Sequence, residues 1–426
     1  MAALATPPGR GALAIVRITG PETKAILGRA FRGRTRPEDF TSARVYFGEI
    51  VSAGEVIDKV GVVFYERPAS YTGEDMAEIT CHGGPLIPHL VLRALVSSGA
   101  SLAQPGEFTL RALLNRKIDL TEAVGINAMS LARTERAQRA AMRRVSGETG
   151  RVIKGFRDEI ASLLSECEAR LDFPEDVPPI DEEGLRERLF GLRDRIKRYL
   201  ESSGTADSLL DGIRVVIAGP PNAGKSTLFN AILGYERAIV HHEPGTTRDY
   251  ISETIELSGF LLKLYDTAGT GEFETHVDRE AVERSLSLAK EADVLVYLLE
   301  PGSGADYPSG ENILRVCSKA DLLDGPAPKD TIPVSGLTGQ GIADLIKEIT
   351  RRAEMIAGGD ESLFKREKDL LFEVCSCLEE ALKEQVGLEL VADRLWQAGS
   401  SMDRLLGLDL PKDVIEGILS EFCLGK

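Results

Sequence analysis

Ile213-Arg-Val-Val-Ile-Ala-Gly-Pro-Pro-Asn-Ala-Gly-Lys-Ser226 is the stretch that decides the fold. Its first six residues are a short, largely β-branched apolar run, the next six are loop residues, and a helical pattern begins at Lys225. A strand, a loop and a helix in that order aim backbone N–H groups at a helix N-terminus, where they cradle phosphate while Lys225 reaches the β and γ oxygens. The Ser226 hydroxyl then becomes a Mg²⁺ ligand. Three more stretches follow in register: Gly245-Thr-Thr-Arg-Asp249, Asp266-Thr-Ala-Gly269 and Ser318-Lys-Ala-Asp321. They read as the remaining parts of a guanine-nucleotide switch. Thr247 is the second Mg²⁺ ligand, and Asp266, ending the apolar strand Phe260–Tyr265, holds the metal's water shell. Asp321 accepts two hydrogen bonds from an edge that adenine lacks.

The residues expected to contact GTP or GDP are therefore Asn222, Ala223, Gly224, Lys225, Ser226, Thr227, Gly245, Thr246, Thr247, Asp266, Thr267, Ala268, Gly269, Ser318, Lys319, Asp321, Ser335 and Gly336. Three details refine the class. Thr270 stands where Ras-like enzymes carry the glutamine that orients the attacking water. Asn222 offers an amide oxygen beside the phosphates, suited to a monovalent cation where other enzymes bring an arginine. Ser318 replaces the usual asparagine, which predicts weaker nucleotide affinity with guanine preference kept by Asp321.

Outside this core the chain is long. Its 426 residues suggest about three domains, and 43% hydrophobic content allows sizeable cores. No run of about 18 apolar residues appears and no basic leader precedes an apolar stretch, which points to a soluble cytoplasmic protein without a membrane partner. Six cysteines are scattered without disulfide or zinc spacing; Cys375 and Cys377 fall on different helix faces. A net charge of −16 opposes non-specific adhesion to nucleic acid but leaves room for a local basic patch.

Residues 1–115 read as mixed α and β, with strands at Ala12–Ile18, Arg44–Ile50 and Val60–Tyr65 and a helix at Pro88–Ser97. Long helical periodicity runs from Leu120 to Leu171, and a second segment covers Glu182–Ser203. Residues 209–352 alternate between α and β, and 353–426 are helical again. The expected architecture is an α+β N-terminal domain (1–115), an all-α helical domain in two parts (116–208 and 353–426), and an inserted Ras-like P-loop GTPase domain (209–352).

Ala5-Thr-Pro-Pro-Gly-Arg-Gly11, Ser70-Tyr-Thr-Gly-Glu-Asp75, Cys81-His-Gly-Gly84, Pro105-Gly-Glu-Phe-Thr-Leu-Arg111, Asn115-Arg-Lys-Ile-Asp-Leu120 and the ending Phe422-Cys-Leu-Gly-Lys426 add signatures at both ends. With the switch motifs they resemble the tRNA-modifying GTPase family MnmE, also called TrmE, essentially from end to end. The resemblance implies an N-terminal domain similar to tetrahydrofolate-binding domains, which forms a homodimer. It also implies a flavoprotein partner, MnmG (GidA), in a heterotetramer or larger assembly. Together they add a carboxymethylaminomethyl or aminomethyl group to ring carbon 5 of the tRNA wobble uridine, with the carbon taken from 5-formyl- or 5,10-methylene-tetrahydrofolate.

Carried onto this chain, Arg17, Glu78, Lys117 and Lys426 fall on folate contacts. Asn222, His241, Glu243 and Thr246 fall in the K⁺ site, with backbone carbonyls expected as ligands in the loop. Cys423 falls on the family's C-terminal cysteine, and Asp278, one methylene shorter, falls where the family orients water with a glutamate, with Glu274, Glu280 or Glu283 as alternatives; Asp278, Lys225 and Cys423 form the expected catalytic set. From spacing alone Glu78 reads as a solvated strand residue and Cys423 as a buried helix-terminal thiol. Only four residues precede Ala5, where the family commonly has a short strand-forming segment, so the expectation is either a missing first strand or a misplaced start. Gly336 stands where the family commonly has alanine, in a region that looks compressed.

Arg133, Arg136, Arg139 and Arg143 recur at helical spacing, with Arg144, Arg151 and Lys154 close behind. This face either meets tRNA phosphates or is a solvated, internally paired surface. A GTP-dependent binding switch in ribosome assembly, without modification chemistry of its own, is the competing functional class.

Overall fold

The computed structural model describes residues 1–235, 239–241, 251–267, 288–303, 306–358, 361–383, 386–419, 422 and 425, with the side chains of 239–241, 251, 412, 413 and 416 excepted. They form two compact units. One comprises Met1–Asn127, Arg143–Ile180 and Gln385–Lys426, the other Ala128–Met142 and Asp181–Glu384.

The first unit is built on an antiparallel sheet of β1 (Ala2–Leu4), β2 (Leu13–Thr19), β3 (Phe31–Gly33), β4 (Arg44–Ser52), β5 (Glu55–Tyr65) and β6 (Met76–His82), in the order β1-β2-β6-β5-β4-β3. Period-two alternation sorts each strand. Ala14, Val16 and Ile18 go inward with Val62, Phe64 and Ile79, beneath the helices Thr23–Ala30 and Ile87–Ser97. Each such Val, Ile or Phe contributes about 1.5–3 kcal/mol by burial. Arg17 and Glu78 lie on the opposite face. The first strand expected to be missing is present: Ala2, Ala3 and Leu4 pair with Ile18, Arg17 and Val16. The few residues ahead of Ala5 suffice because the alanines are small enough to be fully buried and the Met1 amino group donates to Thr19 O at 2.8 Å.

The helical run from Leu120 is broken into Leu120–Leu131, Glu135–Val145 and Glu148–Asp172. Thr134 interrupts it by accepting from Ala137 N through its hydroxyl (3.2 Å), and a turn at Ser146-Gly147 interrupts it again. Within the first unit, Glu148–Asp172 packs along Leu388–Leu406.

The second unit carries β7 (Gly204–Thr205), β8 (Ile213–Ala218), β9 (Ile239–His241), β10 (Ile251–Leu257), β11 (Phe260–Asp266), β12 (Val294–Leu299), β13 (Ile313–Cys317), β14 (Ile332–Pro333) and β15 (Ser362–Leu363). The large sheet runs β14-β13-β12-β8-β11-β10-β9, parallel from β14 to β11 and antiparallel at β10 and β9. Central β8 is apolar on both faces, with Ile213, Val215, Val216 and Ile217 all buried. On one face lie Lys225–Leu233 and Ile342–Ala357, which contribute Phe229, Ile232, Leu345 and Ile349 to the core. Among the described residues, the β12–β13 and β13–β14 connections hold no α-helix, only the turn Ala320–Leu322. Tyr307 takes up space there, edge-on to Tyr297 and donating to Val316 O (2.8 Å). That is the compression visible in the sequence.

Candidate functional site

The loop after β8 sits at the carboxyl end of the parallel strands, where α/β sheets place their ligands. Asn222 holds a left-handed conformation (φ +63°), and its side chain is exposed. Lys225 folds back over the loop, its Nζ donating to the carbonyl oxygens of Gly219 (2.9 Å) and Pro220 (2.6 Å). Burial pushes its ammonium below the usual lysine value, and the Asp266 charge opposes that shift. Asp266 lies opposite Ile217 in the β11–β8 register and is 2% exposed, and Thr267 anchors the same junction by donating to Ile217 O (2.9 Å). Ser226 is exposed in the first helical turn. A serine hydroxyl and an aspartate carboxylate are oxygen donors of the kind that Mg²⁺ takes. Gly245, Thr246, Thr247, Ala268, Gly269, Asp278 and Glu243 lie outside the described residues, as does the side chain of His241.

Parallel β13 and β14 end on the same side of the sheet as β8, and this brings the base-reading residues to the phosphate loop. Ser318, Lys319, Asp321, Ser335 and Gly336 line a cavity of about 390 Å³ together with Ala223, Gly224 and Thr227. Ser318 N donates to Leu299 O (2.9 Å), and Lys319 Nζ pairs with Glu300 at 2.5 Å. The glycine at 336 has a steric reason: a Cβ there would stand 2.9 Å from the Thr227 backbone. Sequence reasoning missed Leu322 and Leu337, exposed leucines that line the same cavity, 67% and 82% accessible. Their signal was present, since each immediately follows a motif.

A second cavity, of about 450 Å³, opens on the N-terminal sheet, lined by Arg17, Tyr65, Ser70, Tyr71, Glu78 and Ile126 among others. Arg17 and Glu78 are direct partners in the β2–β6 register, and the guanidinium reaches Oε1 through Nε (2.9 Å) and Nη2 (2.8 Å). Glu78 is thus paired, which overturns its reading as a merely solvated strand residue. The Tyr65 hydroxyl bonds to the same carboxylate, and burial first, then the Glu78 charge, raises its pKa. Lys117 is not among the cavity's lining residues; it donates to Pro68 O (3.0 Å), while Asn115 donates to Thr72 O (2.7 Å), and both hold the loop that carries Ser70 and Tyr71. Arg17 Nη1 also donates to Gly425 O (3.2 Å). Gly425 has φ +87°, and a Cβ there would stand 2.7 Å from Leu4 O, so glycine is required where the tail meets the pocket. Cys423 and Lys426 lie outside the described residues.

The basic helix is largely committed internally. Arg136 stacks over the Phe260 ring at 4.5 Å and donates to Gly358 O (2.7 Å), which closes the helix Ile342–Ala357. Arg139 pairs with Glu135 (3.4 Å), Arg143 with Glu148 (3.7 Å), and Arg144 is buried. Arg151 donates to Ser146 O (3.4 Å), which leaves Lys154 exposed.

A parallel sheet whose central strand opens into a Gly-Lys-Ser loop, with an Asp-bearing pocket sharing that loop as a wall, is a P-loop GTPase domain. The family profile described as "GTP-binding protein TrmE N-terminus" matches residues 1–117, and "MnmE helical domain" matches residues 120–423. A protein named tRNA modification GTPase MnmE from Thermus thermophilus is 37% identical over 100% of this chain and 98% of its own length, and one from Thermotoga petrophila is 35% identical over 100% and 99%. The chain belongs to the MnmE (TrmE) family of tRNA modification GTPases. Among solved structures, the G domain of the Thermotoga maritima FeoB iron transporter aligns with 33% of this chain and 98% of its own at 20% identity, with a TM-score of 0.25, too low to add to the strand order.

Proposed function

We propose that this chain is a K⁺-activated GTPase that works as a homodimer with the flavoprotein MnmG to modify ring carbon 5 of the tRNA wobble uridine with a folate one-carbon unit. As a member of its family it is a GTP hydrolase acting in tRNA modification, and we place it in the cytoplasm. The observation that carries the reading is the shared cavity, where the phosphate loop and the base-reading Asp321 meet. No helix among the described residues is long and apolar enough to cross a membrane.

Lys225 exchanges its two loop carbonyls for β and γ phosphate oxygens, gaining charge-assisted bonds in place of neutral ones. Asp321 accepts from the guanine edge. Ser226 and Thr247 would hold Mg²⁺, and Asn222, His241, Glu243 and Thr246 would hold K⁺. When bound, the two cations neutralise charge that develops during phosphoryl transfer. Asp278 orients the attacking water. In the N-terminal pocket the Glu78 carboxylate, held by Arg17, supplies acceptor oxygens suited to the N–H groups of a pterin. Arg17, Lys117 and Lys426 suit the carboxylates of tetrahydrofolate, and Cys423 belongs to the catalytic set.

The test is reconstitution of the chain with MnmG and its flavin, a reduced nicotinamide, unmodified tRNA, GTP, the folate and an amine donor (glycine or ammonium), followed by mass analysis of the wobble nucleoside. A mass gain that requires every component is expected. GTP turnover with an unchanged nucleoside would favour the binding-switch class instead.

A further inference from the structure

The N-terminal sheet ends in a concentration of positive charge that the rest of the protein leaves unneutralised. Phe31-Arg-Gly-Arg-Thr-Arg36 forms β3 and the bend that follows it, and Arg32, Arg34 and Arg36 are all exposed. None of the three side chains meets a carboxylate, a carbonyl or a ring among the described residues, whereas Arg17, Arg111, Arg157 and Arg214 each hold an acidic partner. Between Lys24 and Arg44 the chain sets six basic residues against two acidic ones, Glu38 and Asp39. The whole sequence runs the other way, with 67 Asp and Glu to 51 Lys and Arg, so carboxylates are plentiful and none is spent here. β3 pairs with β4 alone and so forms the edge of the sheet. Arg32 stands opposite Glu49, which stands opposite Lys59, so two cations flank one carboxylate. By strand register Arg32 lies on the same face of the sheet as Arg17 and Glu78.

We propose that Arg32, Arg34 and Arg36 hold the phosphate backbone of the tRNA against the edge of the N-terminal sheet. The proposal rests on the reading of this chain as acting on tRNA and names the surface that meets it. Like charges left together without counter-charges repel, and a polyanion laid along them removes that cost. Arginine at all three places suits phosphate, whose oxygens its planar fork takes in pairs. A charged edge strand also guards against edge-to-edge pairing, but that duty asks for neither a particular sign nor a particular cation. The other arginine-rich segment, Glu135–Val145, is committed internally through Arg136 on Phe260 and Gly358 O. Arg29, close to the patch, is likewise turned to Ser98 O. Arg32, Arg34 and Arg36 remain available, on the side of the sheet that carries the Arg17–Glu78 pocket.

The test is equilibrium binding of labelled, unmodified tRNA to the full chain from about 50 to 200 mM KCl. Wild type is compared with the triple variant Arg32→Ala, Arg34→Ala, Arg36→Ala and with the same three positions changed to Lys. Loss of three phosphate contacts should weaken binding about tenfold or more near 100 mM salt and flatten the log–log salt slope by about 2 to 3. The lysine variant keeps the charges and should recover most of that slope. The alanine loss should be the same for tRNAs with and without a wobble uridine, because phosphates carry no sequence. Thermal melts of the three proteins should superimpose, since all three side chains are exposed. Unchanged affinity and slope in the alanine variant overturn the proposal. So does unchanged tRNA binding with an altered sedimentation coefficient, which assigns the arginines to an acidic face of a second copy or to guarding a bare edge. Absence of tRNA binding by the wild type itself would instead overturn tRNA contact by this chain, and this surface with it.

Discussion

Arg17 and Glu78 face each other across β2 and β6, and two guanidinium nitrogens converge on one carboxylate oxygen, Oε1, at 2.9 and 2.8 Å. A pair used only for stability would gain most from two oxygens in a fork. The observed geometry holds the carboxylate in place in the cavity wall. Glu78→Gln retains the shape but converts an acceptor oxygen into a donor. We expect unfolding stability to change by less than about 1 kcal/mol, as for a partly exposed pair. Affinity for 5-formyltetrahydrofolate should fall about tenfold or more, the worth of a bond to a charged group. Unchanged affinity in a direct titration would remove Glu78 from the folate site.

Gly425 brings the C-terminal tail within 3.2 Å of the Arg17 guanidinium. Gly425→Ala puts a Cβ against Leu4 O and strains a positive φ. Wobble-uridine modification and folate affinity should both drop, whereas GTP turnover, which belongs to the other compact unit, should be unchanged. Equal modification rates for variant and wild type would contradict this.

Arg136 is bound by Phe260 and the Gly358 carbonyl rather than offered to tRNA phosphates. Arg136→Ala should therefore destabilise its unit by about 1–3 kcal/mol through the lost ring contact and helix-end bond. Arg139→Ala, on the exposed side, should stay within about 0.5 kcal/mol. Chemical denaturation separates the two. A tRNA affinity that falls on Arg136→Ala while stability holds would restore the phosphate-binding reading.

Lys225 is held below its ordinary value of 10.5 mainly by burial. In nucleotide-free protein the folded state binds fewer protons here than the unfolded chain as pH approaches that value. Stability from this site therefore rises with pH through the depressed pKa up to 10.5. The melting temperature of the wild type, relative to Lys225→Met, should climb as pH rises toward 10.5. A flat or falling difference would mean the ammonium is not buried in solution.

Burial raises the Cys81 and Cys375 thiols to about 11, whereas Cys377 is only half-buried. Alkylation of the native protein near pH 8, read by peptide mapping, should label Cys377 well before Cys81 or Cys375 because thiolate and access control the rate. Labelling in the reverse order would contradict the packing of Lys365–Ala381.

What the sequence disclosed and what it withheld divide along physical lines. The run Ile213–Ala218 announces a strand buried on both faces, and everything at the carboxyl end of the parallel sheet follows from it. The pairing of Arg17 with Glu78 needs a register between strands sixty residues apart, which no local pattern contains. The long periodicity after Leu120 hid two breaks because Thr134 and Gly147 interrupt without disturbing the apolar spacing. Gly336 looked like a departure until the Thr227 backbone was found against it. The partners of Arg136 stayed open between tRNA phosphates and a paired surface because a helical repeat reports which residues share a face and not what that face meets.

Steady-state hydrolysis of GTP by the purified chain in matched KCl and NaCl tests the central claim most directly. Strong stimulation by K⁺ is the predicted result, since Asn222 and the loop around it supply neutral oxygens where an arginine would otherwise stand. Equal rates in the two salts would contradict the account and leave the phosphate loop as part of a diverged switch.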